Sequence, residues 1–163
     1  MEKILISACL LGIKVRYDGN GNYIENPLLK KWMDENRLVS VCPEVKGGAS
    51  VPRPPSEIVG WGGGLAVLNN QANITNQDGT NVTEIYKKGA MAALQIAQQH
   101  NIKIAILKEG SPSCGSSLIY DGSFSKKKIS QEGITTALLR KHGIIVFNEN
   151  QLDSVERYLN QIK

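Results

Sequence analysis

The run Asn81-Val-Thr-Glu-Ile-Tyr-Lys-Lys-Gly-Ala-Met-Ala-Ala-Leu-Gln-Ile-Ala-Gln-Gln-His100, with Lys103-Ile-Ala-Ile-Leu107 close behind it, decides the fold. The first part is the clearest helix in the chain. Asn81 can cap it, Glu84 completes a capping-box-like start, and Ile85, Ala92, Ile96 and Ala97 supply apolar positions up to His100. The second part is short and almost uniformly apolar, the pattern of a strand buried on both faces. The flanks repeat this alternation. Upstream, Lys3-Ile-Leu-Ile-Ser7 is strand-like, and residues 27–36 are helical, with Pro27 suited to the first position and Leu28, Leu29, Trp32 and Met33 at helical spacing. Leu38-Val-Ser-Val-Cys42 is then a β-branched strand. Downstream, residues 134–141 read as helix, 144–147 as strand and 152–162 as an amphipathic helix. The pattern predicts an α/β fold: a single three-layer domain over residues 1–163 with a mostly parallel, Rossmann-like sheet. Residues 65–68 and 73–75 add a possible small hairpin or extended edge. Gly- and Pro-rich loops are expected over 43–64 and, with Ser, over 109–125; loops of that length are often functional.

At 163 residues and 41% hydrophobic, the chain can bury a core without disulfides and is not compositionally disordered. No apolar run approaches the roughly 18 residues of a membrane span. The N-terminal apolar stretch leads into polar Arg16-Tyr-Asp-Gly-Asn20 without a small-residue cleavage site, which points to a cytoplasmic protein. The net charge of +4 comes partly from Lys126-Lys127-Lys128 and from the pairs at 30–31 and 87–88. These read as solvated surface. They permit an anionic ligand or an RNA partner, but no nucleic-acid motif accompanies them.

Three cysteines remain, and each falls at a strand end: Cys9 after the first strand, Cys42 closing the second, Cys114 in the loop after Leu107. If those strands are parallel, all three thiols reach the carboxyl edge of one sheet, where open α/β folds bind ligands. Structural zinc usually takes four ligands, often in close pairs, and no such pair exists here. The nucleobase-deaminase zinc pattern lacks its Pro-Cys-x-x-Cys, and His100 and His142 sit at predicted helix C-termini, where the dipole accounts for them. A dithiol redox pair is likewise missing. A [4Fe–4S] cluster is another option, since three thiolates leave one iron open to a non-protein ligand. It would carry a net charge of about −1, which Arg16, Arg53 and Lys108 in the strand-end loops can offset. Gly47, Gly48 and Gly115 would allow close backbone approach to the sulfurs, or simply form turns. A metal-free domain with three reduced thiols is the plain alternative.

Three linked blocks carry a resemblance. Ser7-Ala-Cys-Leu-Leu-Gly12 with Arg16-Tyr-Asp-Gly19, Cys42-Pro-Glu-Val-Lys-Gly-Gly48 with Val51-Pro-Arg-Pro-Pro-Ser-Glu-Ile58, and Lys108-Glu-Gly-Ser-Pro-Ser-Cys-Gly115 with Tyr120-Asp-Gly122 resemble the DUF523 family, which includes the thiouracil desulfidases. The resemblance implies a [4Fe–4S] cluster held by Cys9, Cys42 and Cys114. It also implies that the unique iron takes the C=S sulfur of a small thiolated pyrimidine base, with hydrolysis to the oxo base. Many relatives carry a cysteine where this chain has Val15, a departure that removes a possible fourth thiolate. Within that frame Glu44 is the first choice for proton transfer, Ser111 and Ser113 for orienting water or accepting bonds from the cluster loop, and Gly115, Arg16 and Arg53 for the surroundings of the cofactor. Asp18 and Asp121, in matching Tyr-Asp-Gly turns, either shape turns or clamp the site walls. Trp61 either stacks on a base or lies on the surface. A thiolated tRNA is a possible larger substrate. A sulfur or cluster carrier, or a modified-RNA-binding module, is the alternative function.

Overall fold

The computed structural model describes residues 1–163. In chain order the elements are β1 (Ile4–Ser7), a 3-10 turn (Ala8–Leu11), α1 (Pro27–Asp34), β2 (Leu38–Val41), α2 (Pro43–Lys46), β3 (Ser56–Val59), α3 (Gly63–Leu68) and β4 (Asn73–Asn76). They continue with α4 (Thr83–Gln99), β5 (Ile104–Leu107), β6 (Leu118–Tyr120), β7 (Lys128–Ser130), α5 (Ile134–Lys141), β8 (Ile145–Asn148) and α6 (Leu152–Gln161).

The central sheet has the order β2-β1-β5-β8, and every pairing is parallel. β1 and β5 occupy the middle and are buried along their whole length, which is why their sequences are unbroken apolar runs. Their side chains still divide by alternation. Leu5, Ala105 and Leu107 pack with Ala90, Ala93 and Leu94 of α4 and Leu138 and Leu139 of α5. Ile4, Ile6, Ile104 and Ile106 pack on the opposite face with Leu29 and Trp32 of α1 and Val155 and Leu159 of α6. Helices therefore cover both faces of the sheet, as expected. The connection from β1 leads outward to β2 on one side, and β5 enters on the other. The strand order thus reverses between β1 and β5, and the crevice outside the carboxyl ends at such a point is where α/β sheets bind ligands.

Several expectations change. Residues 65–68 are not an extended edge; they lie in α3, which turns Ala66 and Val67 into the core. The hairpin partner of β4 is β3, from the stretch expected to be loop, in antiparallel register with Ile58 opposite Ile74. Glu57 hid that strand by interrupting its apolar pattern. It is buried because its carboxylate accepts the N–H groups of Gly122 (2.9 Å) and Phe124 (3.2 Å), tying β3 to a second hairpin, β6–β7, whose first strand falls in the stretch expected to be loop. α4 starts at Thr83, with Asn81 Oδ1 accepting the Thr83 N–H at 3.0 Å. Glu84 extends into solvent beside Lys87 and closes no capping box.

Candidate active site

Because β2, β1 and β5 run parallel side by side, the chain leaves them at one edge. Cys9 sits in the 3-10 turn directly after β1. Cys42 is the residue between β2 and α2. Cys114 lies in the turn that follows β5. All three are free thiols and all three line one cavity of about 370 Å³. Cys42 Sγ lies 4.0 Å from the Val15 carbonyl oxygen, and Val15 lines the same cavity. No three Cys, His, Asp or Glu side chains converge closely enough to grip a single metal ion. Three thiols lining one shared space suit a cluster of several irons with one iron left without a protein ligand.

Burial pushes the Cys9 thiol up to about 11, reinforced by Cys42 and opposed by Lys108 and Arg16. Cys114 is also raised by burial, then by the charges of Cys42 and Glu44. Cys42 is raised by burial and by Glu44, against hydrogen bonds from the Val45 and Glu44 N–H groups. The thiols thus repel one another's ionisation. A cationic iron core placed among them reverses that logic, because it stabilises each thiolate. The donor set and its setting fit a [4Fe–4S] cluster.

Glu44, in α2, is held in the wall by three side chains. Its Oε1 accepts from Tyr86 Oη at 2.7 Å and from Arg53 Nε at 3.1 Å and Nη2 at 3.0 Å. Its Oε2 accepts from Ser111 Oγ at 3.2 Å. Arg53 lines the cavity too; the anion its guanidinium faces is Glu44, and it also donates to the carbonyls of Ser50 (2.8 Å) and Val15 (3.0 Å). Arg16 and Lys108 line the cavity with Cys9 and are the cations that lower its thiol.

Ser111 Oγ accepts the N–H groups of Ser113 (3.0 Å) and Cys114 (3.1 Å) while donating to Glu44, so it couples the cysteine turn to the carboxylate. Ser113 is fully buried and does not line the cavity; its hydroxyl pairs with Thr135 Oγ1 at 2.7 Å and lies 3.8 Å from Cys114 Sγ as an acceptor, which places it with the cysteine turn rather than with a water in the cavity. A Cβ on Gly115 would meet the Leu118 carbonyl oxygen at 2.5 Å, and one on Gly47 would meet the Ile85 carbonyl oxygen at 1.9 Å, so both glycines permit close backbone packing within the chain. Asp18 and Asp121 accept the N–H two residues on, from Asn20 and Ser123, and so make turns. Their neighbours Tyr17 and Tyr120 line the cavity. Trp61 is 95% exposed and takes no part in the site.

Sequence reasoning missed Tyr86, Asn22 and Glu109. Tyr86 lies on the buried face of α4 with Ala90 and Ala93, a spacing that signals burial but not the partner of its hydroxyl. Asn22 sits in a Gly-Asn-rich stretch that reads only as a turn. Glu109 accepts the N–H groups of Ser116 (2.8 Å), Leu118 (3.0 Å) and Ser117 (3.1 Å) and so shapes the segment beyond Cys114.

Comparison with known proteins follows the same lines. The family described as 2-thiouracil desulfurase matches residues 4–151. The uncharacterized protein YbbK of Bacillus subtilis (strain 168) is 47% identical over 152 residues, covering 93% of this chain and 99% of that protein. A solved structure, the [4Fe-4S]-dependent thiouracil desulfidase TudS, superposes with a TM-score of 0.90 at 43% identity and covers 99% of each chain. The chain belongs to the 2-thiouracil desulfurase family.

Proposed function

We propose that the protein is a [4Fe–4S]-dependent desulfidase that converts a small thiolated pyrimidine of the 2-thiouracil type to its oxo counterpart. One observation carries this reading: three free thiols, delivered by three adjacent parallel strands, share a cavity with a carboxylate that is fixed by three side chains. The reaction exchanges the sulfur of C=S for the oxygen of water and releases sulfide, with no net transfer of electrons. Cys9, Cys42 and Cys114 are the residues to hold the cluster. When bound, it supplies an iron without a protein ligand, a Lewis acid for the thiocarbonyl sulfur.

The remaining work falls to the chain. Arg16 and Lys108 offset the negative charge on the Cys9 side. Tyr17, Tyr120 and Phe124 provide aromatic surface in the wall for a flat heterocycle. At Glu44, Oε1 is taken by Tyr86 and Arg53, whereas Oε2 has only the Ser111 hydroxyl. Oε2 is thus the atom with capacity to accept a proton from the attacking water. Ser111 keeps that oxygen in register with the Cys114 turn. We take the free base as substrate and the cytoplasm, where thiols stay reduced, as the compartment. No helix is long and apolar enough to cross a membrane.

Anaerobic reconstitution followed by incubation with 2-thiouracil tests the proposal. Uracil and sulfide should appear in equal amounts. Cluster loading without turnover would favour the carrier alternative. Cys114→Ala should lose most of its iron; iron equal to wild type would refute the ligand set.

A further inference from the structure

We infer that Asn22 donates a hydrogen bond to a sulfur of the iron–sulfur cluster on its Cys9 side, an inference that rests on the desulfidase reading and adds a cofactor contact to it. Arg16 Nη1 donates to Asn22 Oδ1 at 2.8 Å. A guanidinium has no acceptor, so the amide orientation is fixed and Nδ2 is the atom left over. Nδ2 is buried and has no partner. Only one other buried side-chain atom shares that condition, Glu35 Oε1, and the Arg37 guanidinium stands 3.7 Å from it. Nothing comparable compensates Asn22. A buried donor without an acceptor is costly, and native folds rarely keep one without use.

The place of Asn22 says which acceptor it awaits. Its backbone N–H donates to the Cys9 carbonyl oxygen at 2.7 Å, and that oxygen also accepts the Gly12 N–H at 3.0 Å. A Cβ on Gly21 would meet the Gly12 carbonyl carbon and oxygen at 2.8 Å, so the loop from 12 to 22 closes on itself directly over the Cys9 turn. Asn22 therefore moves with Cys9, and both line the cavity. Thiolate and sulfide sulfurs accept N–H groups, and such bonds stabilise the more negative, reduced state of a cluster and raise its reduction potential. Arg16 connects the two: it holds the amide by Oδ1 and opposes the rise of the Cys9 thiol.

The test compares cluster-loaded wild type, Asn22→Asp and Asn22→Leu by potentiometry without substrate, with thermal unfolding of the three apo proteins alongside. Asn22→Asp keeps an acceptor for Arg16 but removes the donor; Asn22→Leu removes both and adds no charge. The expected result is a lower potential in both variants and iron loss to a chelator about tenfold faster. Apo Asn22→Asp should melt no lower than wild type. Unchanged potentials in both variants overturn the inference. If KM for the thiobase then rises, the amide serves the substrate. If only apo melting falls, it braces the loop. Failure of wild type itself to load a cluster overturns the desulfidase reading and this contact with it, a result distinct from the others.

Discussion

Glu109 organises more backbone than any other side chain near the site. Its carboxylate accepts four N–H groups, the hydroxyls of Ser116 and Ser117, and Nδ2 of Asn148 at 2.8 Å. Burial pushes its pKa up, but the Leu118 and Ser117 N–H groups and the Ser117 and Ser116 hydroxyls outweigh that and bring it to about 2 from 4.5. The folded value is the lower one, so its contribution to stability is present above pH 4.5 and is lost as pH falls through 2. Glu109→Gln should flatten the acid limb of stability measured by urea unfolding in that window. It should also lose about 2 kcal/mol at neutral pH, as expected for hydrogen bonds to a charged group. Tyr86→Phe tests a different atom. It removes one donor from Glu44 Oε1 and should cost about 1 kcal/mol. Iron content should stay at the wild-type level while turnover falls, read by iron assay and uracil release.

At the level of elements, the site depends on how α2 sits against α4. α2 is only four residues long and carries Glu44 two residues after Cys42, so its position comes from packing. Gly47 and Gly89 allow the two helices to touch backbone to backbone; a Cβ on Gly89 would lie 1.9 Å from the Pro43 carbonyl oxygen. By helix propensity alone, Gly89→Ala would stabilise by up to about 1 kcal/mol. The structure reverses that sign. Gly89→Ala should destabilise by roughly 3 kcal/mol through overpacking. It should also impair turnover more than Tyr86→Phe, because it moves the Cys42–Glu44 segment as a unit. Urea unfolding and uracil release would both report it. The loops of 43–64 and 109–125 were partly hidden elements for a related reason. β3, β4, β6 and β7 are three or four residues each and make sense only as pairs.

For the whole molecule, the raised thiols make cluster loading a proton-releasing event. Cys9 is pushed up to about 11 and its two companions are also raised, so the apo protein is protonated at all three near neutrality. Iron must displace those protons. Apparent affinity should therefore increase with pH from neutrality towards about 11, measured by competition with a chelator. The loaded protein should also melt higher than the apo protein, because the cluster binds only the folded chain.

What the sequence determined by itself was the alternation of strands and helices, the burial of both middle strands, and the arrival of Cys9, Cys42 and Cys114 at strand ends. These follow from local hydrophobic periodicity, which depends on residues a few positions apart. The functional resemblance was legible for the same reason, since its blocks are contiguous. Only the tertiary structure decided that Arg53 braces Glu44, that Tyr86 reaches it from α4, that Ser113 turns into the core, and that Asn22 keeps a donor free beside Cys9. Tyr86 and Glu44 are 42 positions apart, and Ser111 and Glu44 are 67 apart. No local pattern encodes such pairs. A buried polar side chain takes whatever partner the packed elements bring within about 3 Å, and that choice exists only once the chain has folded.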